Sequence, residues 1–176
     1  MPSPALAWLH RCTARRAARS GVTPYTKTMA IEIIKDATLE LEALFALTIP
    51  QLSRSSQPMK IAELEELLAQ ESLTLLGFRA DEPGDDGKRP LLGMLSLVMF
   101  QIPTGWRAWI EDVVVDEAAR GKGAGRALVE AAVEIALERG AKSVDLTSRP
   151  SRAAANRLYQ RCGFALRETN VYRYKG

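Results

Sequence analysis

The chain has little of several things, and each shortage closes off a class of chemistry. It holds one histidine in 176 residues, His10, close to the start. Beyond that position, neither histidine catalysis nor a histidine-ligated metal site can be built, and no metal is expected. Cysteine is almost as scarce. Cys12 and Cys162 lie far apart, in different regions of the chain, so no disulfide framework is expected and a reduced, cytoplasmic setting fits best. No apolar run reaches the roughly 20 residues that a membrane helix needs, and no membrane partner is expected. Internal repeats and low-complexity tracts are absent too.

Acidic residues are missing from Met1 to Met29, where Arg11, Arg15, Arg16, Arg19 and Lys27 contribute +5. The remaining residues hold 19 basic and 21 acidic side chains, a balance of −2, so the formal charge of +3 belongs to the leading segment. The rest of the chain is therefore not read as a nucleic-acid binder. The leading segment reads as an organelle presequence, as a disordered extension, or as an upstream start ahead of the real one at Met29. Regular patterning begins at Ala30, which divides the chain into an extension, 1–29, and one domain, 30–176.

What is present has clear periodicity. Ile31 and Ile33 alternate with Glu32 as a short strand. Asp36 or Thr38 can cap a helix with Leu41, Leu44, Phe45 and Thr48 on one face, ending at Pro50. Pro58 suits the first turn of a second helix, striped by Ile61, Leu64, Leu67 and Leu68. Leu73–Phe78 and Leu91–Met99 read as strands joined by the turn-rich DEPGDDGKRP, and Ile110–Val115 as a central strand. A helix from about Gly125 to Arg139 follows, with Gly140 placed to cap it. Ser143–Ser148 reads as a strand, Ala153–Phe164 as a helix, and FALRETNVYRY as two short closing strands. The order β-α-α-β-β-β-α-β-α-β-β makes an α/β fold with a mixed central sheet flanked by helices.

The most informative stretch is IEDVVVDEAARGKGAGRAL, residues 110–128. Gly121, Gly123 and Gly125 recur at alternate positions between a β-branched strand and a long helix. A loop that bare leaves the helix's first N–H groups uncovered at its positive end, a natural seat for phosphate. A P-loop is excluded, because no Lys followed by Ser or Thr stands at the required spacing. A dinucleotide fingerprint fails as well: the third glycine would fall on Arg126 or Leu128. The pattern [RQ]xxGx[GA] fits, with Arg120, Gly123 and Gly125 at its fixed positions.

With AAANRLYQRCGF further on, where Ala155, Leu158, Tyr159, Gly163 and Phe164 fall in place, the chain resembles the GNAT superfamily of acetyl-CoA-dependent N-acetyltransferases. The resemblance covers Ile31 to Tyr174 and is strongest from Ile110 onward. One departure is Arg152, where the family often has Asn in contact with the cofactor. The resemblance implies a GNAT-like fold, an N-acetyltransferase domain at 30–176, and acetyl-CoA as co-substrate. The strands near Val113–Val115 and Val144–Ser148 would splay, and the pantetheine arm would pair with the exposed backbone as a missing strand does.

On this reading, Arg120, Gly121, Lys122, Gly123, Ala124, Gly125 and Arg126 hold the diphosphate. Val113, Val114 and Val115 line the arm, and a backbone N–H near Val114 polarises the thioester carbonyl. Tyr159, mostly protonated at neutral pH, is the candidate acid for the leaving thiolate. Glu111 is the first candidate base, placed by alternation on one face with Val113 and Val115; Glu168 is a second. A structural acid paired with arginine is the equal alternative for Glu111. Arg149 and Arg152 are candidates for the nucleotide end of coenzyme A. Cys162 has no histidine to activate it, so direct transfer in a ternary complex is expected rather than an acyl-cysteine. The expected acceptor is an amine of a small molecule or peptide. A non-catalytic acyl-CoA sensor stays open as the alternative, and an open sheet edge or terminal hairpin would allow a homodimer to form.

Overall fold

Apolar alternation along the strands and helical spacing elsewhere sort the large side chains onto two faces of one sheet. The structure, a computed structural model, describes residues 31–53, 55–84 and 86–175. The basic segment 1–29, with His10 and Cys12, and the boundary at Ala30 lie outside the described residues. The elements are β1 (Ile31–Ile34), α1 (Leu39–Leu52), α2 (Ile61–Leu68), β2 (Leu73–Arg79), β3 (Leu91–Ile102), β4 (Gly105–Val115), a 3₁₀ turn at Glu117–Ala119, α3 (Ala124–Glu138), β5 (Val144–Leu146) and α4 (Ala153–Arg161). The strands lie side by side in chain order, β1-β2-β3-β4-β5. The first three pairings are antiparallel and β4/β5 is parallel, so the sheet is mixed as expected.

Helices cover both faces. Leu41, Leu44 and Phe45 of α1 and Leu64 of α2 pack on Leu75, Met94 and Val114. On the opposite face Leu128, Val129, Ala132 and Ala136 of α3 pack on Leu76, Leu95, Leu97 and Ile110. Burying one such leucine contributes about 2 kcal/mol, so the α3 stripe alone ties this helix firmly to β2, β3 and β4. Thr38 caps α1, its Oγ1 accepting from the Leu41 N–H at 3.2 Å. At the far rim, Glu40 of α1 accepts from Arg79 at 2.9 Å and from the Leu91 N–H at 2.9 Å. The Arg79 bond, first among the causes, holds the Glu40 carboxyl below its usual range.

Three expectations need correction. Helix α1 passes Pro50 and ends at Leu52, with the Ser53 N–H bonded to the Ile49 carbonyl; a proline one turn from the end removes a single bond that the packed face outweighs. Pro58 lies outside α2, whose cap is Lys60, its N–H bonded to Glu63 at 2.8 Å. The terminal FALRETNVYRY forms no strand. Strand β5 offers only three residues as an edge, and Leu166, Tyr172 and Tyr174 stay 87–96% exposed. One ion pair, Arg167 to Asp145 at 3.2 Å, ties this segment to β5.

Candidate active site

Strand β4 changes character halfway along. From Ala108 to Ile110 it pairs with β3 on one side and with β5 on the other. After Ile110 the β5 side stops, while pairing with β3 continues to Val115. A β-bulge marks the change: Glu111 stands opposite Ser96 but Val114 opposite Met94, leaving two residues of β4 against one of β3. Asp112 takes up the extra residue at φ 50°, unusual for a residue other than glycine.

The bulge reverses the side-chain alternation. Val113 and Val115 join the cluster that contains Ile110, and Val114 points into the α1 side. Glu111 therefore does not share a face with Val113 and Val115, as strict alternation predicted. It shares one with Trp109, whose Nε1–H donates to Glu111 Oε1 at 2.7 Å. The ladder's phase also locates the free backbone groups. The Asp116 N–H bonds to the Leu92 carbonyl at 2.7 Å, so two residues back Val114 turns its amide toward β3, while Val115 faces the open edge. The Val115 carbonyl indeed accepts from Arg120 Nε on that edge, at 3.3 Å.

The glycine loop ends at this same edge. Gly121 and Gly123 adopt φ 76° and 89°, conformations that side chains resist. Gly123 is the N-cap of α3 and supplies no side-chain cap, so the helix's first N–H groups stay bare. Gly125 has another use. A Cβ there would lie 3.2 Å from Leu158 Cδ2, so its bareness lets α4 approach α3. The cations divide. Arg120, though exposed, is bonded to Val115, Glu117 at 3.0 Å and Gln51 of α1. Arg126 pairs with Glu130 at 2.8 Å. Lys122 is exposed beside the loop. Among the arginines of the loop, positive potential is thus partly offset, and the bare amides are left as its main anion donors.

Between the open half of β4 and α4 lies a cleft lined by Glu111, Asp112, Val113, Thr147, Arg152 and Tyr159. Tyr159 is half-buried, its ring edge-on to Phe164 at 6.2 Å. Burial pushes its phenol above the ordinary 10.0; Glu111 adds to the shift and Arg152 opposes it. The structure therefore brings Tyr159, Glu111 and Arg152 within electrostatic reach of one another. Burial likewise pushes the Cys162 thiol up, which suppresses thiolate. Glu168 is exposed on the terminal segment. On the β5 side, Ser148 Oγ is buried with no hydrogen-bond partner, alone in that respect among the described residues.

The bulge, the Trp109 bond and the orphaned Ser148 escaped the sequence reading. Asp112 in Glu-Asp-Val-Val is compatible with plain alternation, and nothing local announces the extra residue. No group of His, Cys, Asp and Glu that could hold a metal occurs among the described residues. No described helix is long and apolar enough to cross a membrane.

The Acetyltransferase (GNAT) family model matches residues 41–164. Over 68 residues the chain is 37% identical to streptothricin acetyltransferase of Escherichia coli, a stretch that is 39% of each protein. Over 55 residues it is 49% identical to a protein of Oryza sativa subsp. japonica described as "Probable glucosamine 6-phosphate N-acetyltransferase 2", 31% of each. The matched stretches thus span between about a third and two fifths of these relatives. A solved aminoglycoside acetyltransferase, meta-AAC0020, from an uncultured soil metagenomic sample has a similar fold. Its TM-score is 0.69 at 17% identity, covering 86% of this chain and 97% of that one.

Proposed function

This chain belongs to the GNAT acetyltransferase family, and from that premise we propose that it is an acyltransferase, moving the acetyl group of acetyl-CoA to an amine of a small molecule or peptide, by direct attack in a ternary complex, within a domain spanning 30–176. The observation that carries this reading is the half-open strand β4. Glu111–Val115 lacks a partner on the β5 side, faces a bare helix N-terminus and looks across a cleft at Tyr159.

The residues present suit acetyl-CoA. Unpaired backbone groups and the orphaned Ser148 hydroxyl fit an arm rich in amides. The N–H groups of Ala124, Gly125 and Arg126, at the start of α3, fit a diphosphate, with Gly121, Lys122 and Gly123 shaping and charging the approach. Arg120 acts from behind, fixing the loop to Val115 and α1. When bound, the co-substrate supplies an activated acetyl thioester. The backbone donor that polarises its carbonyl is assigned to Val113 or Val115, beside Val114, because only the open edge leaves amides free.

The acceptor nitrogen bonds to the acetyl carbon as the carbon–sulfur bond breaks. Tyr159 gives its proton to the departing sulfur; a phenol with a raised pKa keeps that proton at neutral pH. Glu111, steadied by the Trp109 indole, takes the ammonium proton through water. Arg152, at the cleft wall, contacts the co-substrate where relatives often have Asn. The raised Cys162 thiol supports direct transfer over an acyl-cysteine. The names of the relatives point to small-molecule amines such as aminoglycosides and an amino sugar phosphate, and the cysteine usage favours the cytoplasm.

A screen for thiol release from acetyl-CoA, run over amines, amino sugars, amino acids and peptides, tests the proposal. Release with at least one class is the expected result. Silence across the panel, with calorimetry still registering acetyl-CoA binding, replaces the enzyme mechanism with that of a sensor.

A further inference from the structure

Next to the cleft lies a second, larger hollow of about 620 Å³, lined by Gln51 and Leu52 at the end of α1, by Ser53 and Ser55 just after it, and by Arg149 and Arg152 ahead of α4. It shares Leu52 and Arg152 with the cleft that holds Glu111 and Tyr159, and shares no residue with the glycine loop. Among the described residues, its lining contains two guanidinium groups and two hydroxyls, and no carboxylate.

Several described arginines are held by acids, whereas others, such as Arg107 and Arg139, bond only to hydroxyls. Arg79, Arg120, Arg126 and Arg167 each hold an acid within 3.2 Å. Arg149 and Arg152 have no carboxylate partner among the described residues. Their backbones are nevertheless held in place. The Arg152 N–H bonds to the Arg149 carbonyl at 3.0 Å, Asn156 Nδ2 donates to that same carbonyl at 3.1 Å, and Arg152 Nη2 reaches the Leu52 carbonyl at 3.4 Å. Two cations without a carboxylate partner, beside the Ser53 and Ser55 hydroxyls, form a receptor for an anion.

We propose that this hollow binds an acid group, phosphate or carboxylate, of the acceptor, chiefly through Arg149, with Arg152 shared between it and the co-substrate, so that the substrate class is an amine that also bears an anion. The inference rests on the transfer cleft described above. The hollow shares two residues with the proposed chemistry and touches the diphosphate loop only through the Gln51–Arg120 bond, and its volume suits a small molecule. The other source of the same chemistry is the 3′-phosphate of coenzyme A.

Two measurements on the full chain test this. Inorganic phosphate is titrated calorimetrically into protein saturated with coenzyme A, whose own phosphates then occupy their sites. Binding that persists in wild type and falls tenfold or more in Arg149→Ala supports the hollow, and no binding in wild type overturns it. Thiol release is then compared for matched pairs: a hexosamine and its phosphate, an amino acid and its amide. The acid member should have the lower KM, and Arg149→Ala should raise that KM at least tenfold while the KM for acetyl-CoA stays put. Preference for the neutral members overturns the proposal. So does a raised KM for acetyl-CoA that disappears with acetyl-dephospho-CoA, which assigns the arginines to the 3′-phosphate. Silence with every pair, with phosphate binding intact, defeats the transfer reading and leaves the anion receptor standing.

Discussion

The two halves of β4 make opposite uses of the same backbone. From Ala108 to Ile110 every edge is paired and the inward side chains are nearly sealed, Ala108 at 0% and Ile110 at 2% exposure. From Glu111 to Val115 one edge is open, a bulge breaks the ladder, and polar side chains reach the cleft. The first half satisfies its polar groups internally and stabilises the fold. The second leaves them to be satisfied by something that arrives later, at a cost in stability that the packed half offsets. Within one strand, the point where pairing stops is where the chemistry starts.

Substitutions should separate the halves cleanly. The largest effect belongs to the closed half: Leu97→Ala, opposite Ile110 and fully buried, should lose about 3 kcal/mol in urea unfolding. Acetyl-CoA affinity per folded molecule should be unchanged; a parallel loss of affinity would mean the halves are coupled. In the cleft, Tyr159→Phe should lower kcat about 100-fold, equivalent to about 2.7 kcal/mol, with unfolding midpoint and acetyl-CoA binding nearly intact. Because the Tyr159 phenol is pushed above 10.0, its proton is retained through neutral pH, and wild-type kcat should fall on the basic side only above that value. An unchanged kcat in Tyr159→Phe would remove the tyrosine from the mechanism.

Gly123→Ala comes next. Forcing a Cβ to φ 89° should cost about 1–2 kcal/mol and weaken acetyl-CoA binding roughly tenfold, since the strain falls on the bare helix end. Loss of stability without loss of affinity would reduce the glycine to a turn former. The smallest effect lies at the far rim, where Glu40→Gln should cost about 1 kcal/mol at neutral pH, discounted for exposure, and leave turnover alone. The Glu40 carboxyl is held below its ordinary 4.5. Its stabilisation is therefore complete above that value and lost as pH falls through the lowered one. The gap between wild type and Glu40→Gln should accordingly close in acid.

Much of the fold was legible because periodic burial leaves a periodic signature. Leu41, Leu44, Phe45 and Thr48 share the buried face of α1 as their spacing predicted, and Gly121 and Gly123 take the positive φ that their bareness allows. Legibility failed where a long-range choice overrode a local one. Pro50 breaks helices locally, yet α1 continues; FALRETNVYRY alternates, yet finds only a three-residue neighbour. Glu111 lies on this strand as the pattern predicts but on the opposite face, because a bulge depends on two strands and one strand's sequence cannot display it.

By itself, the order of residues determined the layered α/β plan, the family resemblance, and the bare loop at the head of α3, because backbone preference and apolar spacing act over a few neighbours. Only the tertiary structure decided where β4 and β5 part, which way Glu111 faces, and that Arg149 and Arg152 meet the end of α1 around one hollow. Those outcomes depend on groups about a hundred positions apart along the chain, as with Arg152 and Leu52, and packing alone brings such groups together.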